Sequence, residues 1–216
     1  ALERYFSGQR VVRYTVERVT LKSREHPLGW DSHAAAIRLR DGQFAGVLGL
    51  PVLEIDVSAP EQLSAHAVSD LHIGAHNVLA YTLERIAGEK LRAFLSTLPA
   101  YRQKVKKPGE AIRVKDLYDL TRIHRVRPLS DQDFWRKAAE DFRLACASRY
   151  IDCDGLDTFR QNWPATQQAF ISDPTLPKDV TFAEVEATLT AIVEFLLREK
   201  ILPLSFPLPP SALPPG

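Results

Sequence analysis

An amphipathic helix predicted over residues 82–98 constrains the fold of this chain more than any other segment. At about 100° per residue its apolar side chains fall on one stripe, and Lys90 lies inside that stripe. A lysine on a packed surface must extend its ammonium group to solvent, pair with a carboxylate or meet an anionic ligand such as phosphate. The stripe therefore predicts a buried helix face that contains one cation. Its apolar members are Leu83, Ala87, Leu91, Phe94 and Leu98, with Ile86 at the edge.

A second helix is predicted to begin in the segment 113–120, RVKDLYDL. Asp116 and Asp119 are three residues apart, so their carboxylates share one face of that helix. A position in the first turn, near the positive end of the helix dipole, explains Asp116 better than it explains Asp119. Carboxylates on a partly buried face need a cation, a metal ion or backbone donors. We therefore take Asp116 and Asp119, together with Lys90, as candidate functional residues.

The N-terminal part of the chain alternates apolar and polar residues in the way that is typical of β-strands. Residues 10–22 predict a first strand whose apolar phase changes near Arg18, which indicates a bulge or two shorter strands. Residues 33–40 and 51–58 predict two more strands, and the Asp41-Gly42 pair between them is a turn signal. The three strands are expected to form an antiparallel meander.

The third predicted strand carries two carboxylates, Glu54 and Asp56, on the face opposite Leu53, Ile55 and Val57. An outer face exposed to solvent is one explanation for this pattern. A metal-facing edge is the other, because hard cations such as Mg²⁺ prefer carboxylate oxygens. The sequence leaves both explanations open.

The segments that follow are less regular until the helical half of the chain. Residues 59–77 are predicted as a loop, with a short strand at 78–81 before a helix N-cap at Thr82. A basic loop is predicted at 101–108, YRQKVKKP. From Ser130, the predicted N-cap of a long helix, the pattern is helical.

The predicted fold class is α+β. Residues 1–80 are expected to form a small, mostly antiparallel sheet portion, and residues 81–202 a helical domain. Its last helix begins with a capping box, Thr181 and Glu184. The proline-rich segment 203–216 is expected to be an extended or disordered tail.

Composition narrows the class of protein. The chain has 216 residues, is 45% hydrophobic and 25% charged, and carries a formal net charge of +1, which gives no global electrostatic reason for binding nucleic acid. It has neither an apolar run long enough to cross a membrane nor the apolar core of a signal peptide at its N-terminus. Two cysteines, Cys146 and Cys153, suit a reduced cytoplasmic chain.

Two motifs and the basic segment between them carry a family resemblance. The motif EKLRAF at 89–94, followed by the segment 101–108 and RVKDLYDL at 113–120, resembles the AbiEii-type nucleotidyltransferases. These are toxins of bacterial toxin–antitoxin and abortive-infection systems, and they are similar to the DNA polymerase β-like nucleotidyltransferase superfamily. The resemblance implies transfer of a nucleoside monophosphate (NMP) from a nucleoside triphosphate (NTP) to an acceptor such as tRNA. It further implies Mg²⁺ as the cofactor and an antitoxin protein as a partner.

The resemblance also assigns roles to individual residues. It implies catalytic roles for Lys90 and Asp116 and, as a further candidate, for Asp119. Lys90 would bind the nucleotide, with Arg113 and Lys115 as additional binding residues. Ile55-Asp56-Val57 is similar to the superfamily strand that bears a third metal-binding carboxylate, so Asp56 is the predicted metal ligand. The chemistry needs such residues, because phosphoryl transfer uses divalent cations to neutralise the triphosphate and activate the attacking hydroxyl.

One superfamily motif is missing from the sequence. The chain has no Gly-Ser dipeptide and no Asp-x-Asp pattern before Asp56, where the superfamily holds the triphosphate and two metal ions. The sheet is therefore expected to be N-terminally incomplete. The alternative function is a catalytically inactive or truncated module of the same fold that binds nucleotide or a protein partner.

Overall fold

The computed structural model describes residues 14–24, 31–41, 52–57, 61–106 and 111–209. Within them the chain is α+β, with antiparallel sheets of three and two strands and seven helices, which confirms the predicted fold class. The chain divides into one compact unit that contains the three-stranded sheet and a second unit formed by residues 61–209. The predicted domain limits at residues 80 and 202 stay a prediction.

The three-stranded sheet consists of β1 (Tyr14–Arg24), β2 (Ser32–Asp41) and β3 (Val52–Val57). Its order is β1-β2-β3 and both pairings are antiparallel, so the predicted meander is confirmed. The register shifts between Val16 and Arg18, where the phase of the apolar pattern changes. Gly42 of the predicted turn lies outside the described residues.

A two-stranded hairpin begins the second unit, with β4 (Val68–Ile73) paired to β5 (His76–Tyr81). The predicted loop over residues 59–77 is therefore wrong from Val68 onward. The turn has two residues, and its first, Gly74, has φ of 60°, a left-handed conformation that glycine adopts without strain. Polar residues within β4 obscured its alternation in the sequence.

Seven helices follow the hairpin: α1 (Leu83–Leu95), α2 (Pro99–Lys104), α3 (Val114–Val126), α4 (Gln132–Arg149), α5 (Leu156–Phe159), α6 (Trp163–Ser172) and α7 (Phe182–Arg198). None of the helices in the described ranges is long and apolar enough to cross a membrane.

The end of α1 and the N-cap of α4 differ from the predictions, whereas the N-caps of α1 and α7 agree with them. The helix predicted to reach residue 98 ends at Leu95, because Pro99 starts a new helix at the position where proline is tolerated. As a result, residues 101–104 are helical and not part of a loop. Asp131, and not Ser130, caps α4 by accepting from the Phe134 N–H. Thr82 and Thr181 cap α1 and α7 as predicted.

The core lies among α1, α3, α4 and α7. The predicted stripe of α1 is buried at Ala87, Leu91, Phe94 and Leu98, whereas Leu83 in the first turn is exposed. The α7 side chains that face the same core are fully buried, as the apolar period predicts. This packing fixes the axis of α1 relative to the other helices.

The chain after α7 packs back onto the helices over its described part. Leu204 and Cys153 exchange backbone hydrogen bonds of 3.0 and 2.8 Å. Lys104 Nζ donates to the carbonyl oxygen of Phe206 at 2.7 Å and to Asp152 Oδ2 at 2.6 Å. The predicted tail is thus extended and bound at residues 203–206; residues 210–216 lie outside the described residues.

Both cysteines are free and buried, and burial raises the pKa of Cys153 to about 12.

Helices α1 and α4 approach each other closely at Gly88. A Cβ atom built on Gly88 would lie 2.7 Å from the backbone nitrogen of Phe142 and 2.8 Å from the carbonyl oxygen of Ala138. Both neighbours are backbone atoms of α4, so they cannot move aside by a change of rotamer. Only glycine permits this separation of the two helices.

A buried charged network connects α1 and α4 beside this contact. The side chains of Arg85 and Asp141 are both 0% exposed, and Arg85 Nη1 lies 3.6 Å from Asp141 Oδ1. Arg85 Nη2 donates to Glu61 Oε2 at 2.9 Å and also to Glu89. Glu61 in turn accepts from Arg149 at 2.6 Å. The network binds the segment before the hairpin to the helices.

His66 extends the network to the segment that leads into β4. Its Nε2 lies 3.1 Å from Asp141 Oδ2 and 3.2 Å from the backbone carbonyl oxygen of Lys137. Asp141 is therefore held between a guanidinium group and an imidazole, which limits the cost of burying its charge.

Gly88→Ala should lower the free energy of unfolding by about 1–3 kcal/mol, because overpacking in a filled interior costs that much. The gain in helix propensity, about 1 kcal/mol, is too small to offset a backbone clash. Denaturant titration measures the difference. Gly155→Ala is the matched control, since a Cβ at Gly155 meets nothing within 4 Å. Equal stability of the two variants would contradict the close approach of α1 and α4.

Arg85→Met should lower the free energy of unfolding by about 3–5 kcal/mol, because Asp141 would remain buried without its guanidinium partner. The double variant Arg85→Met/Asp141→Leu should recover much of that loss, since it removes both buried charges. Thermal and denaturant unfolding of Arg85→Met, of Asp141→Leu and of the double variant give the coupling energy. A double variant that is no more stable than Arg85→Met would show that the two side chains do not compensate each other.

Candidate active site

Lys90 on α1 faces α3 and bridges two carboxylates of that helix. Its Nζ donates to Asp116 Oδ1 at 2.9 Å and to Asp119 Oδ2 at 2.5 Å. The sequence analysis offered three environments for the Lys90 ammonium group: solvent, a carboxylate or an anionic ligand. In the structure the ammonium group is paired with carboxylates. The fold thus brings together three predicted site residues, although Asp116 and Asp119 lie 26 and 29 positions after Lys90 in the chain.

Arg113 binds the other side of Asp116. Its Nε donates to Asp116 Oδ2 at 2.5 Å, and its Nη2 lies 3.5 Å from Oδ1. Asp116 occupies the third position of α3, so it is also close to the positive end of the helix dipole. Both oxygens of Asp116 thus contact a cation. We refer to Lys90, Arg113, Asp116 and Asp119 as the Lys90 cluster.

Burial differs strongly among the members of the Lys90 cluster. The side chain of Asp116 is 2% exposed, that of Lys90 is 27% exposed and that of Asp119 is 41% exposed. Arg113 is more than half exposed. The cluster therefore opens to solvent on the side of Asp119 and Arg113 and is closed on the side of Asp116.

The electrostatics of the Lys90 cluster keep its lysine charged. Burial lowers the pKa of Lys90, but the hydrogen bonds to Asp119 and Asp116 act in the opposite direction, and the net shift raises the pKa above its ordinary value. Two cations face two carboxylates, so the cluster is formally neutral. An ammonium group that is charged, half-buried and open to solvent on one side can bind a phosphate oxygen.

Lys115 is exposed and stands apart from the Lys90 cluster. Its charge acts instead on Asp173, whose pKa is lowered first by hydrogen bonds from Thr175 and only then by the neighbouring lysines. The predicted role of Lys115 in nucleotide binding stays a prediction. Arg113 has a stronger case, because it contacts the same carboxylate as Lys90.

Asp56 lies on β3, in the unit that contains the three-stranded sheet. Cross-strand pairing aligns Asp56 with Ala34 and Lys22, and Glu54 with Ala36 and Thr20. These residues line a groove of about 280 Å³ whose floor is formed by the alanines of β2. The two carboxylates stand on one wall of the groove and Lys22 on the other.

The donor chemistry of this groove suits a hard cation, because Glu54 and Asp56 offer carboxylate oxygens on one exposed face. The described ranges contain no group of three or more His, Cys, Asp or Glu side chains that could hold a metal ion. Mg²⁺ needs fewer protein ligands than that when nucleotide phosphates and water complete its shell. The predicted role of Asp56 as a metal ligand stays a prediction.

The sequence missed two features that support the site. The ion pair between Arg113 and Asp116 was readable, since the residues are three apart at the start of a helix. The Arg85 network was not, because its members are up to 88 residues apart. A stretch of six residues in α1 therefore meets two different helices. Arg85 and Gly88 contact α4, whereas Lys90 contacts α3.

Comparisons with known proteins agree with this description. A family model described as "Nucleotidyl transferase AbiEii toxin, Type IV TA system" matches residues 4–204. Searches of the curated proteins and of the solved structures gave no match. The family match includes both motifs from which the resemblance was predicted, EKLRAF and RVKDLYDL, as well as β1 to β3 and all seven helices. Because the match spans most of the sequence, the chain belongs to the AbiEii family of nucleotidyltransferase toxins.

Proposed function

We propose that this chain transfers an NMP group from an NTP to an acceptor and so acts as the toxin of a toxin–antitoxin or abortive-infection system. The family implies a nucleoside triphosphate substrate, typically a divalent metal ion, and a cognate antitoxin. The observation that carries the proposal is the Lys90 cluster: a charged ammonium group on a packed helix, held by a buried carboxylate and open to solvent.

In this reaction an acceptor hydroxyl oxygen attacks the α-phosphorus of the NTP. A new P–O bond forms, and the bond between the α-phosphorus and the α,β-bridging oxygen breaks. Pyrophosphate leaves, and the hydroxyl proton passes to a base or to water. Lys90 binds the triphosphate and offsets the negative charge that builds on the leaving group. A fixed cation does this better than solvent, because it needs no reorganisation during the reaction.

Asp116 is a positioning residue in this scheme. Its two oxygens already contact Lys90 and Arg113, which suits holding the two cations better than accepting a proton from the acceptor. Its burial at 2% exposure keeps it away from bulk water. Arg113, which is more exposed, then supplies a second cation to the phosphates.

Asp56 is the proposed ligand of the divalent metal, with Mg²⁺ as the cation that best matches an oxygen-only donor. When bound, the metal ion neutralises phosphate charge and activates the attacking hydroxyl. The support is the exposed carboxylate at the wall of a groove, and its similarity to the superfamily strand that bears a third metal-binding carboxylate.

We extend the proposal to the acceptor, the antitoxin and the compartment. The family resemblance favours a tRNA end as the acceptor, and the protein itself is the other acceptor to test. An enzyme that consumes NTP acts where NTP is made, so we propose the cytoplasm. Binding of NTP without transfer would favour the alternative, an inactive module of the same fold.

Lys90→Gln should reduce nucleotide transfer by about 100- to 1,000-fold, the cost of removing one preorganised charge-stabilising group. The variant keeps a hydrogen-bond donor for Asp116, so the fold should survive. Transfer is measured with Mg²⁺ and each α-labelled NTP, against bulk tRNA and against the protein alone. Lys137→Gln is the matched control, since Lys137 also pairs with an aspartate but lies on α4. Undiminished transfer by Lys90→Gln would refute the proposed role of Lys90.

Asp56→Asn should lower transfer by a similar factor and raise the Mg²⁺ concentration needed for half-maximal rate, because an amide oxygen is a weaker ligand for a hard cation. Glu54→Gln, on the same face of β3, is the control and should have the smaller effect. Transfer as a function of Mg²⁺ concentration separates the two variants. A larger loss in Glu54→Gln would assign the metal to Glu54 instead.

A further inference from the structure

The two carboxylates that bind Lys90 differ in how firmly they are held. Asp116 is 2% exposed and contacts both Lys90 and Arg113. Asp119 is 41% exposed, and among the described residues it has Lys90 as its hydrogen-bonding partner. Asp116 therefore cannot leave Lys90 without losing a buried ion pair, whereas Asp119 can turn into solvent at little cost.

We propose that Asp119 is a resident anion: it occupies the phosphate-binding position on Lys90 when no nucleotide is present, and an incoming polyphosphate displaces it. The inference rests on the proposed function, since it assumes that Lys90 receives phosphate. It gives Asp119 a regulatory role at the same site, where the sequence suggested only a catalytic one.

Charge balance explains why Asp119 must move. Without ligand, Lys90 and Arg113 face Asp116 and Asp119, and the cluster is neutral. A phosphate that joined the cluster while Asp119 stayed would place two anions side by side on the exposed side of Lys90. Like charges in contact repel, so ligand binding and the contact between Asp119 and Lys90 exclude each other.

Competition of this kind lowers the affinity of every anion that binds Lys90. A monophosphate gains little when it replaces one carboxylate with another anion of similar charge. A triphosphate brings several charges that reach Arg113 as well as Lys90, so it displaces Asp119 more readily. Asp119 therefore weakens the binding of both ligands by a similar factor, and it keeps the Lys90 ammonium group oriented between turnovers.

The test is the binding of inorganic triphosphate and inorganic phosphate to the full chain, measured by calorimetry at low ionic strength. Asp119→Asn should bind inorganic triphosphate about two- to fivefold more tightly, the effect of removing one exposed competing ion pair. Its affinity for inorganic phosphate should rise by a similar factor, because either ligand must break the same ion pair. Asp133→Asn is the matched control: it removes an exposed aspartate paired with Lys137 on α4, and it should leave both affinities unchanged.

Unchanged or weaker binding of inorganic triphosphate by Asp119→Asn would overturn the inference, and weaker binding would mean that Asp119 helps to hold the ligand. The combined variant Lys90→Gln/Asp119→Asn should lose the gain, because the competition takes place on Lys90. The proposed function fails separately. If Asp119→Asn binds triphosphate more tightly but the protein transfers no nucleotide, the role of Asp119 stands and the proposed transferase activity is refuted. If the protein transfers nucleotide but Asp119→Asn does not bind triphosphate more tightly, the transferase activity stands and the role of Asp119 is refuted.

Discussion

The close approach of α1 and α4 at Gly88 is the constraint on which the rest of the helical unit depends. With backbone atoms of α4 within 3 Å of where a Cβ would stand, α1 has no freedom to shift along or roll about its axis. Arg85 is thereby directed to Asp141 and Lys90 to α3. The backbone contact at Gly88, which involves no charged side chain, thus fixes the directions of the Arg85 and Lys90 side chains.

Two of the three cations on helix α1, Arg85 and Lys90, lie in different environments. Arg85 is fully enclosed and surrounded by Glu61, Glu89 and Asp141, so its charge is compensated within the protein. Lys90 is compensated on its closed side by Asp116 and on its open side by a carboxylate that faces solvent. The first arrangement stabilises the fold. The second leaves a cation that a ligand can reach, which is what an enzyme acting on triphosphates needs.

Periodicity predicted the regular elements well, and its failures have identifiable causes. The bulge near Arg18 and the buried stripe of α1 follow from local alternation, which the chain obeys. The strand predicted at 78–81 lies within β5, but its partner β4 was missed because Asp70 and His72 interrupt the apolar pattern of a strand that is exposed throughout. The end of α1 was misplaced because apolar residues continue through Leu98 although the backbone changes direction at Pro99.

The sequence by itself determined that Lys90 lies on a buried face and that Asp116 and Asp119 share a helix face, because both facts depend on a 3.6-residue period within one segment. It also carried the two motifs that identify the family. Only the tertiary structure decided that these three side chains meet, that Arg113 shares Asp116, and that Asp116 is closed off while Asp119 is open. Those properties depend on how α1 and α3 pack, and packing is fixed by contacts between residues far apart in the chain.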